Sequence, residues 1–241
     1  AQKYQEAVDA YYAVLAKFPE KEESVQAVAN IASAYLDMIL ETKDKQKKEE
    51  LRMCADAVEG YLAERFSGSP NKLLMTSAGD AVVRLAAKES EYRNADRANR
   101  LYTDFFVNYR SHASAATLAA AKAMELQKAG KYEGAIKFWN IISQLYTNTT
   151  FYASSLAQLS FCHGKLDDHK AEIDYISAYI PIETVRVRKL QAQFQLAQMY
   201  QRDGMGILET AATNAVPEEV EAIEKRGSAQ IIRAIKTFGG F

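Results

Sequence analysis

A recurring alanine pattern constrains this chain more than any other sequence feature. Each alanine is followed four residues later by an aromatic side chain, and the longer copies continue with core-type side chains at seven and eleven residues. Offsets of four, seven and eleven residues lie on one face of an α-helix, so the pattern predicts amphipathic helices. The copies are Ala7-Tyr11-Val14-Phe18, Ala57-Tyr61, Ala98-Tyr102-Phe105-Tyr109, Ala135-Trp139-Ile142-Tyr146 and Ala171-Tyr175-Ala178. Their first alanines are 36 to 50 residues apart, which approaches the period of helical repeat proteins.

A second type of helix alternates with the first. It carries a small residue followed three residues later by another core residue, and in the last three copies a glycine four residues further on. The copies are Ala32-Tyr35, Ala123-Leu126-Gly130, Ala157-Ser160-Gly164 and Ala197-Tyr200-Gly204. Because glycine adopts the left-handed conformation without steric cost, each of the three glycines is predicted to end its helix. The small residue is predicted to let two helices approach closely.

Together the two patterns predict an all-α chain of eleven helices. The predicted spans are 1–18, 22–42, 47–66, 71–90, 92–109, 113–129, 131–146, 151–164, 167–180, 184–203 and 217–237. The pair near 47–90 departs from the pattern and is expected to be irregular. Residues 204–216 are predicted to form a loop, and Pro217, followed by two glutamates, suits the first turn of the last helix. We expect one repeat array over residues 1–241, with Trp139 buried between helices.

Composition excludes several functional classes. Of 241 residues, 48% are hydrophobic, which suffices for a large core. A formal net charge of -1 argues against a general nucleic-acid binder, which normally carries a basic excess. The two cysteines form no disulfide framework, and no stretch is long and apolar enough to predict a membrane span. The chain begins inside a helical pattern without a polar cap, so we expect further repeats or a partner beyond this edge, in a longer protein.

These residues resemble the tetratricopeptide repeat (TPR) family. The resemblance is carried by both helices of a TPR pair. Leu196, Ala197, Tyr200 and Gly204 match the first helix of a pair, and Tyr4, Ala7, Tyr11, Pro19, Tyr132, Ala135 and Trp139 match the second helix, which carries the alanine pattern. The resemblance implies an α-solenoid of about five antiparallel helix pairs, wound as a right-handed superhelix that binds a protein or peptide on its inner surface. The ends of the second helices are most similar to bacterial cell-envelope TPR proteins, which implies a periplasmic or envelope location, with the cytoplasm as the alternative.

In such arrays the first helix of each pair lines the concave groove, and in this chain that is the helix type with a small residue and a following glycine. The exposed residues of these helices are therefore candidate partner contacts. Glutamine amides can bond to an extended peptide backbone, and phenyl rings can anchor an apolar side chain. The alternative is that the glutamines are exposed helix formers and the phenylalanines fill gaps between helices. The candidate groove residues are Met124, Gln127, Gln158, Phe161, Gln191, Phe194, Gln198, Gln201 and Arg202, with Lys128 beside them.

The segment from Cys162 to His169 is the one cluster with metal-ligand chemistry. It contains a thiol, two histidines and two carboxylates, but it lies at a predicted turn between helices, where polar caps are expected. We therefore interpret Asp167 or Asp168 as a helix N-cap. No nucleophile–base arrangement is evident, so we expect neither an enzyme nor a cofactor.

Three functional hypotheses follow. The first is a non-catalytic scaffold that binds a protein or peptide in its groove. The second is a structural or assembly subunit that self-associates through an uncapped terminal helix. The third is a metalloprotein that uses His163 and His169. The sequence favours them in that order.

Overall fold

The computed structural model describes residues 2–214 and 217–238, and this part of the chain contains helices without any strand. The helices are α1 (Gln2–Lys17), α2 (Glu22–Glu41), α3 (Lys45–Phe66), α4 (Lys72–Glu91), α5 (Ala95–Asn108), α6 (Ala115–Lys128), α7 (Tyr132–Leu145), α8 (Phe151–Lys165), α9 (His169–Tyr179), α10 (Arg186–Asn214) and α11 (Pro217–Phe238). The predicted all-α class is confirmed. None of these helices combines the length and the apolar character that crossing a bilayer requires.

The main difference from the predicted spans lies in α10. This helix continues to Asn214, so the loop predicted over 204–216 is wrong for residues 204–214, and residues 215–216 lie outside the described part. A Cβ atom on Gly204 would lie 2.9 Å from the carbonyl oxygen of Gly227 in α11. The glycine is therefore explained by the close approach of two helices, and their packing offsets its low helix propensity.

Glycine ends a helix at one of the three predicted places. Gly130 has φ +72° two residues after the end of α6 at Lys128, as predicted. Gly164 instead lies inside α8, where a side chain would overlap the carboxylate of Glu172. The left-handed residue after α8 is Asp167, with φ 57°. Asp168 is the N-cap of α9, since its Oδ1 accepts the backbone N–H of Ala171 at 3.2 Å, which confirms one of the two proposed caps.

The helices form two compact units, residues 1–116 and 117–241. In unit 1, α2 packs against α1, α3 and α4, and α4 packs against α5. The alanine pattern supplies part of this core, because Ala98, Tyr102, Phe105 and Tyr109 are all buried. The hydroxyl of Tyr109 donates to the carbonyl oxygen of Leu62 at 2.9 Å, which satisfies its one polar group.

Unit 1 also buries an arginine among carboxylates. Arg97 on α5 lies 2.5 Å from Asp56, 2.7 Å from Glu59 and 2.5 Å from Glu89. The side chains of Arg97, Glu59 and Glu89 are 6%, 6% and 2% exposed. Burial raises the pKa of Glu59 to about 7, although Arg97 opposes this shift. Three helices are thus joined by one charged cluster.

Unit 2 is built from sequential packing of α7 on α8, α8 on α9, α9 on α10 and α10 on α11. Ala135, Trp139 and Ile142 are buried, so the prediction for Trp139 is confirmed. Its indole Nε1 donates to Oε1 of Gln127 on α6 at 3.1 Å. The pattern of alanine and aromatic residues therefore marks the buried face of α7.

Candidate functional site

A cleft of about 740 Å³ lies between α8, α9 and α10 in unit 2. Each helix contributes one wall of the cleft. The lining residues of each helix lie at positions that the helical period places on one face of that helix. The lining side chains include Phe161 and Lys165 from α8, Glu172, Ile176 and Tyr179 from α9, and Arg188, Gln191, Gln195, Gln198, Met199 and Arg202 from α10.

A row of five polar residues forms the α10 wall. The row is Arg188-Gln191-Gln195-Gln198-Arg202, with steps of three and four residues. This spacing keeps all five side chains on one helical face over about four turns. Three amides with both donors and acceptors therefore stand between two guanidinium groups along one wall of the cleft.

Arg202 is held at one end of the row by Glu172 from α9. Its Nη2 pairs with Oε2 of Glu172 and lies 3.0 Å from Nδ1 of His169. The Glu172 side chain is 10% exposed, whereas that of Arg202 is 48% exposed. Gly164 leaves the space that the carboxylate occupies. The hydroxyl of Ser160 on α8 donates to the Glu172 backbone carbonyl at 2.8 Å, which keeps α9 at this distance from α8.

Glu183, in the segment between α9 and α10, anchors Arg188 at the other end of the row. Its Oε2 lies 3.3 Å from Nε of Arg188, and its Oε1 accepts the backbone N–H of Val185 at 2.7 Å. The Tyr179 hydroxyl also donates to Glu183, and these bonds lower the pKa of this carboxyl. Burial, aided by Glu183, raises the pKa of Tyr179 to about 12, so the phenol remains a neutral donor. The Glu183 side chain is 6% exposed and that of Arg188 is 61% exposed.

The α8 wall combines an aromatic ring with a cation. The Lys165 ammonium lies 5.4 Å from the centroid of the Phe161 ring, and Tyr132 meets the same ring edge-on at 6.2 Å. Phe161 is nearly half exposed. Both Phe161 and Lys165 line the cleft, so this wall offers an aromatic ring and an ammonium group.

Four of the nine predicted groove residues line this cleft: Phe161, Gln191, Gln198 and Arg202. Gln127 and Gln158 bond to each other at 2.7 Å, and Gln127 also accepts from Trp139. These two amides therefore stabilise contacts among α6, α7 and α8.

Three other predicted residues do not line the cleft. Met124, Phe194 and Gln201 are exposed outside it. Phe194 and Gln201 each precede a residue of the polar row by one position, Gln195 and Arg202 respectively. They therefore lie on the face of α10 next to the cleft wall.

The sequence prediction missed several residues of the cleft. Arg188 and Gln195 complete the row on α10, and Lys165, Glu172 and Tyr179 come from the neighbouring helices. The alternating three- and four-residue spacing within the predicted helix 184–203 was sufficient to find the complete row. No local pattern pairs Glu172 with Arg202, which lie 30 residues apart.

The segment from Cys162 to His169 does not gather its side chains. Cys162 is buried, its thiol donates to Gln127 at 3.6 Å, and burial raises the pKa of this thiol to about 11. His163 pairs with Asp168 at 3.0 Å, whereas His169 lies beside Glu172 at 3.3 Å. Among the residues that the structure describes, no three histidine, cysteine or acidic side chains are arranged to hold a metal ion.

Comparison with known proteins gives little further information. No protein-family model matches the sequence, and no curated protein matches it either. The crystal structure of BtubC (BKLC) from P. vanneervenii is a weak structural neighbour, with a TM-score of 0.37 and 13% sequence identity over 99% of this chain and 89% of that one. A likeness at this level carries no argument about function.

Proposed function

We propose that this chain is a non-catalytic scaffold that binds an extended segment of a partner protein in the cleft between α8, α9 and α10. The observation that carries the proposal is the row of three glutamines between two arginines along α10. Glutamine amides can donate to and accept from the backbone of an extended segment, whose own peptide groups otherwise lose their bonds to water. Phe161, Ile176 and Met199 provide apolar surface in the same cleft.

The finer fold assignment belongs to the same proposal. We propose a TPR-like α-solenoid of antiparallel helix pairs wound into a right-handed superhelix. Supporting observations are the burial of the alanine and aromatic positions in α5 and α7 and the packing of consecutive helices within each unit. In such arrays each helix pair contacts only its neighbours, which leaves one continuous surface available for a partner.

The proposed binding can be tested by photo-crosslinking from the cleft. A photoreactive phenylalanine analogue replaces Gln195, and a matched variant carries it at Lys137, an exposed α7 position that does not line the cleft. We expect a discrete cross-linked partner protein from source-cell extract only with the Gln195 probe, with the adduct mapped to an unstructured segment of that partner. Equal products from both positions would refute the assignment of the cleft as the binding site.

Self-association is a second candidate because α11 exposes two large apolar side chains. Ile232 and Ile235 are 50% and 63% exposed. The same photoreactive residue at Ile235 tests this alternative. A cross-link to a second copy of the chain, together with a concentration-dependent mass in light scattering, would favour the assembly role over the scaffold.

A further inference from the structure

The two ion pairs at the ends of the α10 row are asymmetric. In both, the carboxylate is nearly buried and the guanidinium is about half exposed or more. Each pair therefore presents mainly positive charge to the cleft. A guanidinium has five N–H donors in a planar fork, and the contacts to Glu183 and Glu172 leave several of them free for a ligand.

Lys165 adds a third positive charge on the facing wall. Among the residues that the structure describes, the charged side chains lining the cleft are Lys165, Arg188, Arg202 and Glu172, and Glu183 pairs with Arg188. The cations thus outnumber the carboxylates, and the carboxylates are the buried members. A partner with a complementary potential is negatively charged.

The spacing of the arginines sets a length for the ligand. Arg188 and Arg202 are 14 residues apart on one helix, which corresponds to about 21 Å at about 1.5 Å per residue. An extended chain advances about 3.3 Å per residue, so about six residues cover this distance. Because side chains alternate along an extended chain, residues separated by an even number of positions point to the same side.

We propose that the segment bound in the cleft is acidic and extended, with two carboxylate side chains about six residues apart that pair with Arg188 and Arg202. Its intervening backbone lies along Gln191, Gln195 and Gln198. This inference rests on the proposed scaffold function and adds to it the chemistry and the spacing of the bound segment.

Binding of defined peptide pools to the full chain tests the proposal. One pool of roughly ten-residue peptides carries aspartate at two positions six apart, with neutral residues elsewhere. A second pool carries asparagine at both positions, and a third carries the aspartates three apart. We expect the first pool to bind about tenfold more tightly than the asparagine pool, because each exposed ion pair contributes several-fold. The third pool should fall between them, since only one arginine is reached.

Equal binding of the aspartate and asparagine pools would overturn the acidic assignment. Equal binding of the first and third pools would overturn the spacing. Neither result would affect the scaffold proposal if the Gln195 cross-link to a partner is observed. If no pool binds, the proposal of an acidic segment is overturned. The scaffold proposal is overturned only if the Gln195 probe also fails to cross-link a partner.

Charge-removing variants identify the cleft as the binding surface. Arg188→Gln combined with Arg202→Gln should remove most of the preference for the aspartate pool over the asparagine pool, and Lys165 should account for what remains. Arg186→Gln combined with Arg226→Gln removes the same charge from exposed positions that do not line the cleft and should leave binding unchanged. Lys165→Gln breaks no ion pair and should weaken the aspartate pool about threefold. If the Arg188→Gln/Arg202→Gln variant and the Lys165→Gln variant bound the aspartate pool with unchanged affinity, the proposal would be contradicted.

Discussion

The two units use arginine in opposite ways. In unit 1, Arg97 is 6% exposed and meets carboxylates of Asp56, Glu59 and Glu89. In unit 2, Arg188 and Arg202 each pair with one buried carboxylate, and their guanidinium groups remain 61% and 48% exposed. The same pairing chemistry therefore encloses the arginine in unit 1 and leaves its charge facing solvent in unit 2.

The difference shows that an ion pair's role depends on which partner is buried. A buried arginine surrounded by carboxylates has no donors facing solvent and acts within the fold. An exposed arginine anchored by a buried carboxylate is held in one orientation while its remaining donors face the solvent. Substitutions in the two clusters should therefore differ in their effect on stability, as the following four experiments examine.

The largest effect is expected for Arg97→Ala. Removal of the guanidinium leaves Glu59 and Glu89 buried without a counter-charge, which should lower the free energy of unfolding by about 3–5 kcal/mol. Urea denaturation followed by circular dichroism measures the change. The control is Arg100→Ala, whose pair with Asp56 is exposed and should contribute less than about 1 kcal/mol. Similar losses in the two variants would show that burial does not set the role of Arg97.

Gly164→Ala should destabilise unit 2 by about 1–3 kcal/mol. The added methyl group overlaps the carboxylate of Glu172, which must shift from the position in which it pairs with Arg202. Gly60→Ala in α3 is the control, since nothing lies within 4 Å of the new Cβ atom and alanine should stabilise the helix by about 0.5–1 kcal/mol. Thermal unfolding of both variants provides the measurement, and a gain in stability at both positions would refute the close approach at Gly164.

Glu59 in unit 1 and Glu183 in unit 2 should contribute to the pH dependence of stability with opposite signs. The pKa of Glu59 is raised to about 7 by burial, so the folded chain holds a proton that the unfolded chain releases above its usual pKa of 4.5. Its contribution to stability therefore decreases as pH rises from about 4.5 to 7. Glu59→Gln should reduce the difference in unfolding free energy between about pH 5 and pH 8 by at least about 1 kcal/mol.

Glu183 provides the contrast in unit 2. Bonds from Tyr179 and Val185 lower the pKa of Glu183, so its contribution to stability is present above its usual pKa and is lost as pH falls through the lowered value. Glu183→Gln should remove this loss on acidification. Denaturation curves over the same pH series measure both variants. If Glu59→Gln and Glu183→Gln changed the pH dependence of the unfolding free energy with the same sign, the opposite pKa shifts of the two carboxyls would be contradicted.

The smallest effect on stability is expected for Arg202→Gln. Its guanidinium is half exposed, so loss of the pair should lower the free energy of unfolding by at most about 1 kcal/mol, even though the variant contributes to the loss of peptide binding. Denaturation of this variant beside Arg97→Ala compares the two clusters directly. A loss as large as that of Arg97→Ala would identify Arg202 as a structural residue.

Much of the fold could be predicted from the sequence. The ends of the first nine helices lie within a few residues of their predictions, because the offsets of four, seven and eleven residues reflect the period of a single helix. Capping is equally local, as Asp168 shows. The predicted helix end at Gly204 was wrong. This glycine allows α10 to approach Gly227 in α11, which lies 23 residues further along the chain.

The candidate site was predicted only in part. Phe161, Gln191, Gln198 and Arg202 were found from the groove that the TPR resemblance implies together with helical spacing. The partners of the arginines were not found, since no short-range pattern connects Glu172 with Arg202 or Glu59 with Arg97. These pairs form only when separate helices pack against each other.

The sequence by itself determined where the helices lie and which face of each is apolar, because both depend on residues within a few turns of one another. Only the tertiary structure decided whether a glycine ends a helix or admits a neighbour, and whether an arginine is buried or faces a cleft. Burial and ion pairing depend on atoms supplied by other helices, so the same residue type acts as an internal contact at Arg97 and as part of a cleft wall at Arg202.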